Sequence, residues 1–169
     1  MTAPLALVTG GQQGIGLGIV EALLAQGFRV AIASLPSVGD TGVREALASL
    51  GPNARYYQHD LADIAGIPAL IEAIEHEQGP VDALIQNAGV AAKVRGDMLD
   101  LTPENLNWIM GINLTGAFFL AQMVAKRMLA TTSPHYRSIT FVTSVSARMA
   151  SPERADYLRY LSVVRENVR

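Results

Sequence analysis

The feature that most constrains this chain is the apolar run Leu5-Ala6-Leu7-Val8-Thr9, which passes without a break into Gly10-Gly11-Gln12-Gln13-Gly14-Ile15-Gly16. Beyond it, a helical pattern of apolar residues covers 15–26 and stops at Gly27. The order is therefore a short buried strand, a glycine turn, and a helix closed by glycine. A helix entered in this way turns its free N–H groups toward the glycine loop, where a pyrophosphate is held without a positive side chain. Glycine is needed there because the backbone must turn sharply and come close to the ligand. Glycines alone are a weak signal; their position between a first strand and a helix gives the signal its weight.

The rest of the chain repeats the alternation. Strands are predicted over 28–33, 55–58, 83–86 and 138–143. Helices are predicted over 43–50, closed by Gly51-Pro52-Asn53, and from a cap at Asp63 to about Glu77, broken by Gly79-Pro80. Thr102-Pro103-Glu104 reads as a cap, an N1 proline and an early acid, opening one long helix to about Leu129. Short apolar strands alternating with helices pair in parallel through right-handed crossovers. The predicted class is α/β, a Rossmann-type doubly wound parallel sheet with helices on both faces. No repeat, low-complexity stretch or linker divides the 169 residues, which suffice for one core.

Composition removes several function classes. A formal net charge of -2 with no cluster of Lys and Arg offers no footprint for nucleic acid. Cysteine is absent, which excludes disulfides, a thiolate nucleophile and a thiolate zinc site. His59, His76 and His135 are scattered without metal-ligand spacing and are read as structural or solvated, so no metal site is expected. The N-terminus has no basic stretch ahead of an apolar run, and no uninterrupted apolar segment approaches membrane-spanning length. A cytoplasmic protein with no membrane partner is expected.

The spacing Thr9-Gly10-x-x-x-Gly14-x-Gly16 resembles the cofactor turn of the short-chain dehydrogenase/reductase family, and further segments in the same order strengthen the resemblance. His59-Asp60-Leu61 is similar to the acidic position after the third strand, which in that family sits at the adenine. Asn87-Ala88-Gly89 matches the segment after the fourth strand. Asn113 matches an asparagine on the long helix that helps organise a proton relay, and Ser144 and Tyr157, thirteen residues apart, match the catalytic serine and tyrosine. These motifs cover residues 5 to 157, which the resemblance makes a partial NAD(P)-binding domain over 1–157. It implies cofactor contacts at Thr9, Gly10, Gln12, Gln13, Gly14, Ile15, Gly16, Ser34, Asp60, Leu61, Asn87, Ala88, Gly89 and Tyr157. Bland alternatives stand beside several of these. Asp60 could simply end a strand, Asn87 could serve a left-handed turn, and Asn113 could be a polar packing residue inside a helix.

The resemblance also implies a mechanism. Reducing a ketone takes a hydride from the nicotinamide and a proton from a side-chain acid. Tyr157 is the implied acid, Ser144 stabilises the carbonyl oxygen, and Asn113 anchors a water of the relay. In the family a lysine one turn after the tyrosine lowers its pKa and holds the ribose. Here that position is Leu161, and the only lysines are Lys93 and Lys126. Arg159 lies two residues along, which on a helix points it to the opposite side. Taking Tyr160 instead puts Val164 where the lysine should stand. Residues 158–169 are therefore expected to be an atypical tail, from a shifted reading frame or a truncated gene, on a reductase N-terminal portion. A chain of this kind is expected to turn over at least about 100-fold more slowly than an intact relative.

For the cofactor, Ser34 stands where NAD-preferring relatives carry an Asp, which leaves room for a 2′-phosphate. NADP(H) is the expected preference, with NAD(H) the alternative, because Gln13 is neutral and neither Arg29 nor Arg44 is placed at the phosphate by sequence. The opening segment and 145–157 look most like 3-oxoacyl-[acyl-carrier-protein] reductases. A small-molecule or acyl-carrier ketone is the expected substrate, and the resemblance implies a homodimer or homotetramer for intact relatives. The second reading is a non-catalytic nucleotide-binding fragment or pseudo-enzyme.

Overall fold

The computed structural model describes residues 2–93 and 98–144. Five parallel strands, β1 (Leu5–Thr9), β2 (Arg29–Ser34), β3 (Ala54–Gln58), β4 (Ala83–Gln86) and β5 (Ser138–Phe141), form one sheet in the order β3-β2-β1-β4-β5. The helices between them are α1 (Gly14–Ala25), α2 (Thr41–Leu50), α3 (Ile67–Gln78), α4 (Pro103–Met110) and α5 (Ala117–Ala130). This is the doubly wound arrangement predicted from the alternating elements. The chain winds outward from β1 to β3, then crosses back to place β4 on the other side of β1. The strand order therefore reverses between β1 and β4, and open sheets of this type bind ligands in the crevice at that reversal.

Period-two alternation divides the core between the two faces. Leu5, Leu7, Ala31 and Leu84 point to one side and pack with Leu70, Ile71 and Ile74 of α3 and Leu120 and Val124 of α5. Ala6, Val8, Val30, Ile32 and Ile85 point to the other, against Val20, Ile19 and Leu23 of α1. Because both faces are covered, β1 is buried at every position, which is why it reads as a continuous apolar run.

Two predicted helices differ in detail. Asp63 caps a short 3-10 turn, Ile64–Gly66, accepting from the Gly66 N–H at 3.1 Å, and α3 begins only at Ile67 with Pro68 in its first turn. The long helix starts as read, with Thr102 Oγ1 accepting from the Asn105 N–H at 3.3 Å. It is not uniform: a π-helical segment, Gly111–Gly116, joins α4 to α5. Wide turns of this kind carry an extra residue and recur at functional sites, and here the segment contains Asn113. By length and composition Pro103–Ala130 could cross a bilayer, with a mean hydropathy of 1.5. Ile109, Ile112, Leu120 and Val124 are buried within the fold.

Candidate functional site

A cleft of about 330 Å³ opens at the carboxyl ends of β1, β2, β3 and β4. The glycine turn forms its floor with Gly10, Gln12, Gln13, Gly14, Ile15 and Gly16. Ser34 follows β2, Asp60 and Leu61 follow β3, and Asn87, Ala88 and Gly89 follow β4. Of the residues expected from sequence to hold a cofactor, these twelve line one cavity.

Close backbone approach builds the floor. A Cβ on Gly16 would collide with the Gly10 carbonyl and lie 2.6 Å from Asn87 Nδ2, so the first turn of α1 lies directly over the end of β1. That leaves the start of α1 open toward the cleft, a cradle for a phosphate at a helix N-terminus. Asn87 fixes the arrangement, its Nδ2 donating to the carbonyls of Thr9 at 3.0 Å and Gly10 at 3.3 Å. It is thus a brace between β4 and the glycine turn, and it does not adopt the left-handed turn conformation weighed for it from sequence.

Thr9 stands behind the cleft. Its side chain is fully buried, and its Oγ1 accepts from the N–H groups of Asn87 and Ala88, both at 3.0 Å, while facing Gln86 Oε1 at 3.3 Å. The hydroxyl's capacity of one donor and two acceptors is thereby used up. Its observed work is to join the ends of β1 and β4, and it is not among the cleft-lining residues.

Asn113 is 2% exposed, and both ends of its carboxamide are committed to one residue. Oδ1 accepts from the Val90 N–H at 2.8 Å and Nδ2 donates to the Val90 carbonyl at 2.9 Å. The π-helical segment thus grips the loop after β4 as a neighbouring strand would. Any contact of Asn113 with a relay water must therefore use what this clamp leaves over, including its own backbone carbonyl. Ser144 lies three residues beyond β5, on the same side of the sheet; the Val142 N–H extends the β5 pairing to the Gln86 carbonyl at 2.9 Å. Tyr157 and residues 158–169 lie outside the described residues.

Two buried polar atoms among the lining residues lack protein partners. Gln12 Oε1 belongs to the glycine turn, and His59 Nε2 to the residue before Asp60. An unsatisfied buried acceptor in such a place fits a site completed by the hydroxyl or N–H groups of a ligand. His59, which reads from sequence as structural or solvated, is buried and in addition lines the cleft. Burial pushes its imidazole below the ordinary value of 6.5, opposed by the charges of Asp63 and Asp60. Adjacency to Asp60 was the available signal. Ala33, Leu35, Val90, Trp108 and Ile112 also line the cleft and were not foreseen, since nothing in an isolated apolar residue marks it as wall rather than core.

The candidate cations divide. Arg29 sits at the start of β2, donating to the Gln78 carbonyl at 2.6 Å and to the Ala3 carbonyl, at the far end of the strand from the cleft. Arg44 lies on α2, which begins on the cleft side. Among the described lining residues there is no Lys or Arg. No group of His, Cys, Asp and Glu among the described residues could hold a metal ion.

Comparisons with known proteins agree with this arrangement. The sequence model of the family described as short chain dehydrogenase matches residues 4–158. The galactitol 2-dehydrogenase of Agrobacterium fabrum is 34% identical over 128 residues, covering 75% of this chain and 47% of its own. The 3-oxoacyl-[acyl-carrier-protein] reductase of Mycobacterium tuberculosis is 32% identical over 151 residues, 89% of this chain and 55% of its own. Among solved structures, a 3-oxoacyl-[acyl-carrier protein] reductase from Brucella melitensis, in complex with NAD, superposes with a TM-score of 0.91 at 43% identity; the match covers 99% of this chain and 66% of that one. The chain spans about half the length of the curated relatives it matches.

Proposed function

The chain belongs to the short-chain dehydrogenase/reductase family, and from that premise we propose that it is the dinucleotide-binding portion of an oxidoreductase that reduces a ketone to an alcohol by hydride transfer. The observation that carries this is the cleft at the β1/β4 reversal, floored by a glycine turn that only a chain without Cβ atoms at Gly16 could make. A bound nicotinamide cofactor supplies the hydride. The glycine turn and the start of α1 hold its pyrophosphate, and Asp60 and Leu61 hold the adenine end. The clamp from Asn113 to Val90 keeps the loop after β4 in place. Ser144, three residues after β5, stabilises the carbonyl oxygen of the substrate, and Tyr157 donates the proton.

The likeness to 3-oxoacyl-[acyl-carrier-protein] reductases supports a 3-oxoacyl thioester as substrate, while the match to galactitol 2-dehydrogenase supports a polyol or sugar ketone. NADP(H) is favoured by Ser34, which leaves the ribose 2′ position without a carboxylate. The lack of a cation among the described lining residues keeps the expected preference small, a few-fold. The likeness to a reductase bound to NAD supports NAD(H) as the alternative. Leu161 favours the second reading, a nucleotide-binding chain without normal turnover, and the family match ending at residue 158 supports taking 158–169 as a foreign tail.

The deciding experiment gives the purified 169-residue chain NADPH or NADH in calorimetric titration, followed by oxidation assays with a 3-oxoacyl thioester and a ketose. Micromolar binding with turnover about 100-fold or more below an intact relative is the expected result. Normal turnover would remove the argument from Leu161, and absence of nucleotide binding would overturn the whole reading.

A further inference from the structure

We propose that Trp108, steadied by Lys93, is a contact surface for the base of the bound dinucleotide, an inference that rests on reading the cleft as a dinucleotide site. Trp108 lies on α4 one helical turn before Ile112, and both line the cleft. The wall they make stands on the Asp60 side. Gly116 lies so close to Leu61 that a Cβ on it would be 2.8 Å from the Leu61 carbonyl carbon, which draws the helix onto the loop after β3. Trp108 packs against the core cluster that includes Leu61 and Ile112. The base is expected at that end, because Asp60 and Leu61 are there and the pyrophosphate cradle at Gly16 is on the opposite wall.

Lys93 makes the indole more than packing. Its Nζ lies 4.1 Å from the centroid of the Trp108 ring, and its backbone N–H donates to Asn105 Oδ1 at 2.9 Å. Asn105 belongs to the same helix as Trp108, so the loop after β4 is tied to α4 at the point where the ammonium rests on the ring. A cation over an indole fixes the ring's orientation through attraction to its electron-rich face. Burial alone would be met by an aliphatic side chain; here a partly exposed indole, held by a cation, borders a cleft. Aromatic surfaces accept nucleobases whatever their hydrogen-bonding pattern, and loss of one weakens binding by roughly tenfold.

Trp108 is the only tryptophan in the chain, so indole fluorescence reports on this position alone. The 169-residue protein is titrated with 5′-AMP, with nicotinamide mononucleotide and with NADPH, following emission and, separately, heat. Saturable change with AMP and NADPH but not with nicotinamide mononucleotide is expected. Trp108→Leu should weaken AMP and NADPH by roughly tenfold, and Lys93→Met, which keeps the aliphatic stem, by about threefold. AMP binding without any change in emission, an equal response to nicotinamide mononucleotide, or undiminished AMP affinity in Trp108→Leu overturns this inference and leaves the dinucleotide reading standing. If Trp108→Leu does not fold, the emission of the parent protein decides. Failure of the parent to bind NADPH, NADH and AMP overturns the dinucleotide reading and this inference with it.

Discussion

The two walls of the cleft are built on different principles. The floor at the ends of β1 and β4 is made of backbone: Gly16 over the Gly10 carbonyl, Asn87 holding the carbonyls of Thr9 and Gly10, and the Thr9 hydroxyl gathering two N–H groups. It carries no formal charge. The outer wall is made of side chains brought from distant parts of the sequence, His59 and Asp60 after β3 and Trp108 from α4, and behind it Lys93, outside the lining, rests on the Trp108 ring. The floor tolerates no added volume at Gly16, while the outer wall is open to exchange of one side chain for another. Anion binding by helix N–H groups asks for fixed backbone geometry, whereas recognition of a base asks for surfaces and single polar contacts.

If this contrast is right, the largest effect belongs to Gly16→Ala. The new methyl meets backbone that cannot move without breaking the β1 to α1 turn. Loss of roughly 3 kcal/mol of stability and of measurable nucleotide binding is expected, read by chemical denaturation and calorimetry. An unchanged melting midpoint would show that the floor yields. Next comes Thr9→Val, of nearly the same shape, which leaves the N–H groups of Asn87 and Ala88 without their acceptor. About 2 kcal/mol of destabilisation is expected from two part-buried donors stranded together. Gly14→Ala should be milder. Gly14 has φ +54 but no atom within 4 Å of a Cβ, so only the conformational preference is lost, about 1 kcal/mol. A Gly14 variant as damaged as the Gly16 one would erase the distinction between crowding and backbone conformation.

The smallest effect concerns the outer wall and pH. Burial holds the folded pKa of His59 below the ordinary 6.5, so between the two values the unfolded chain binds more protons than the folded one. Its contribution is therefore intact above pH 6.5 and declines as the pH falls through that value toward the lower folded pKa. A His59→Gln variant should lose part of the slope of unfolding free energy that the wild type shows as the pH falls below 6.5. Parallel slopes in the two proteins would show that the imidazole does not titrate on unfolding.

The same contrast decides how much could be read from the chain in advance. The floor was legible because its requirements are local. A glycine between strand and helix has few alternative explanations, and the Asn87-Ala88-Gly89 segment directly follows an apolar strand. The doubly wound parallel sheet with helices on both faces followed from the alternation of elements, whereas the strand order is seen only in the fold. The outer wall was not legible, because Trp108, Ile112 and Val90 have the composition of ordinary core, and only their convergence in the folded chain makes them lining. His59 was discounted for want of metal-ligand spacing, although its neighbour Asp60 was picked out. The break in the long helix was hidden for a different reason. Residues 111–116 include the weak helix formers Gly111, Asn113, Thr115 and Gly116, but low propensity does not distinguish a π-helical from an α-helical turn, and of them Asn113 is the one singled out from sequence.

The wide turn at Gly111–Gly116 also bears on which changes of length the chain can accept. Each residue added to or removed from a helix rotates everything beyond it by about 100°. The 28-residue span from Pro103 to Ala130 is therefore phased in two independent parts, one presenting Trp108 and Ile112 to the cleft and the other presenting Leu120 and Val124 to the sheet. Within 111–116 a side chain at Gly111 meets open space, whereas one at Gly116 would meet the Leu61 carbonyl and Asn113 is held by Val90. Deletion of the extra residue there should return the segment to regular α-helical winding with both phases kept, whereas an insertion or deletion in the α-helical turns on either side would swing the cleft wall or the core contacts out of register.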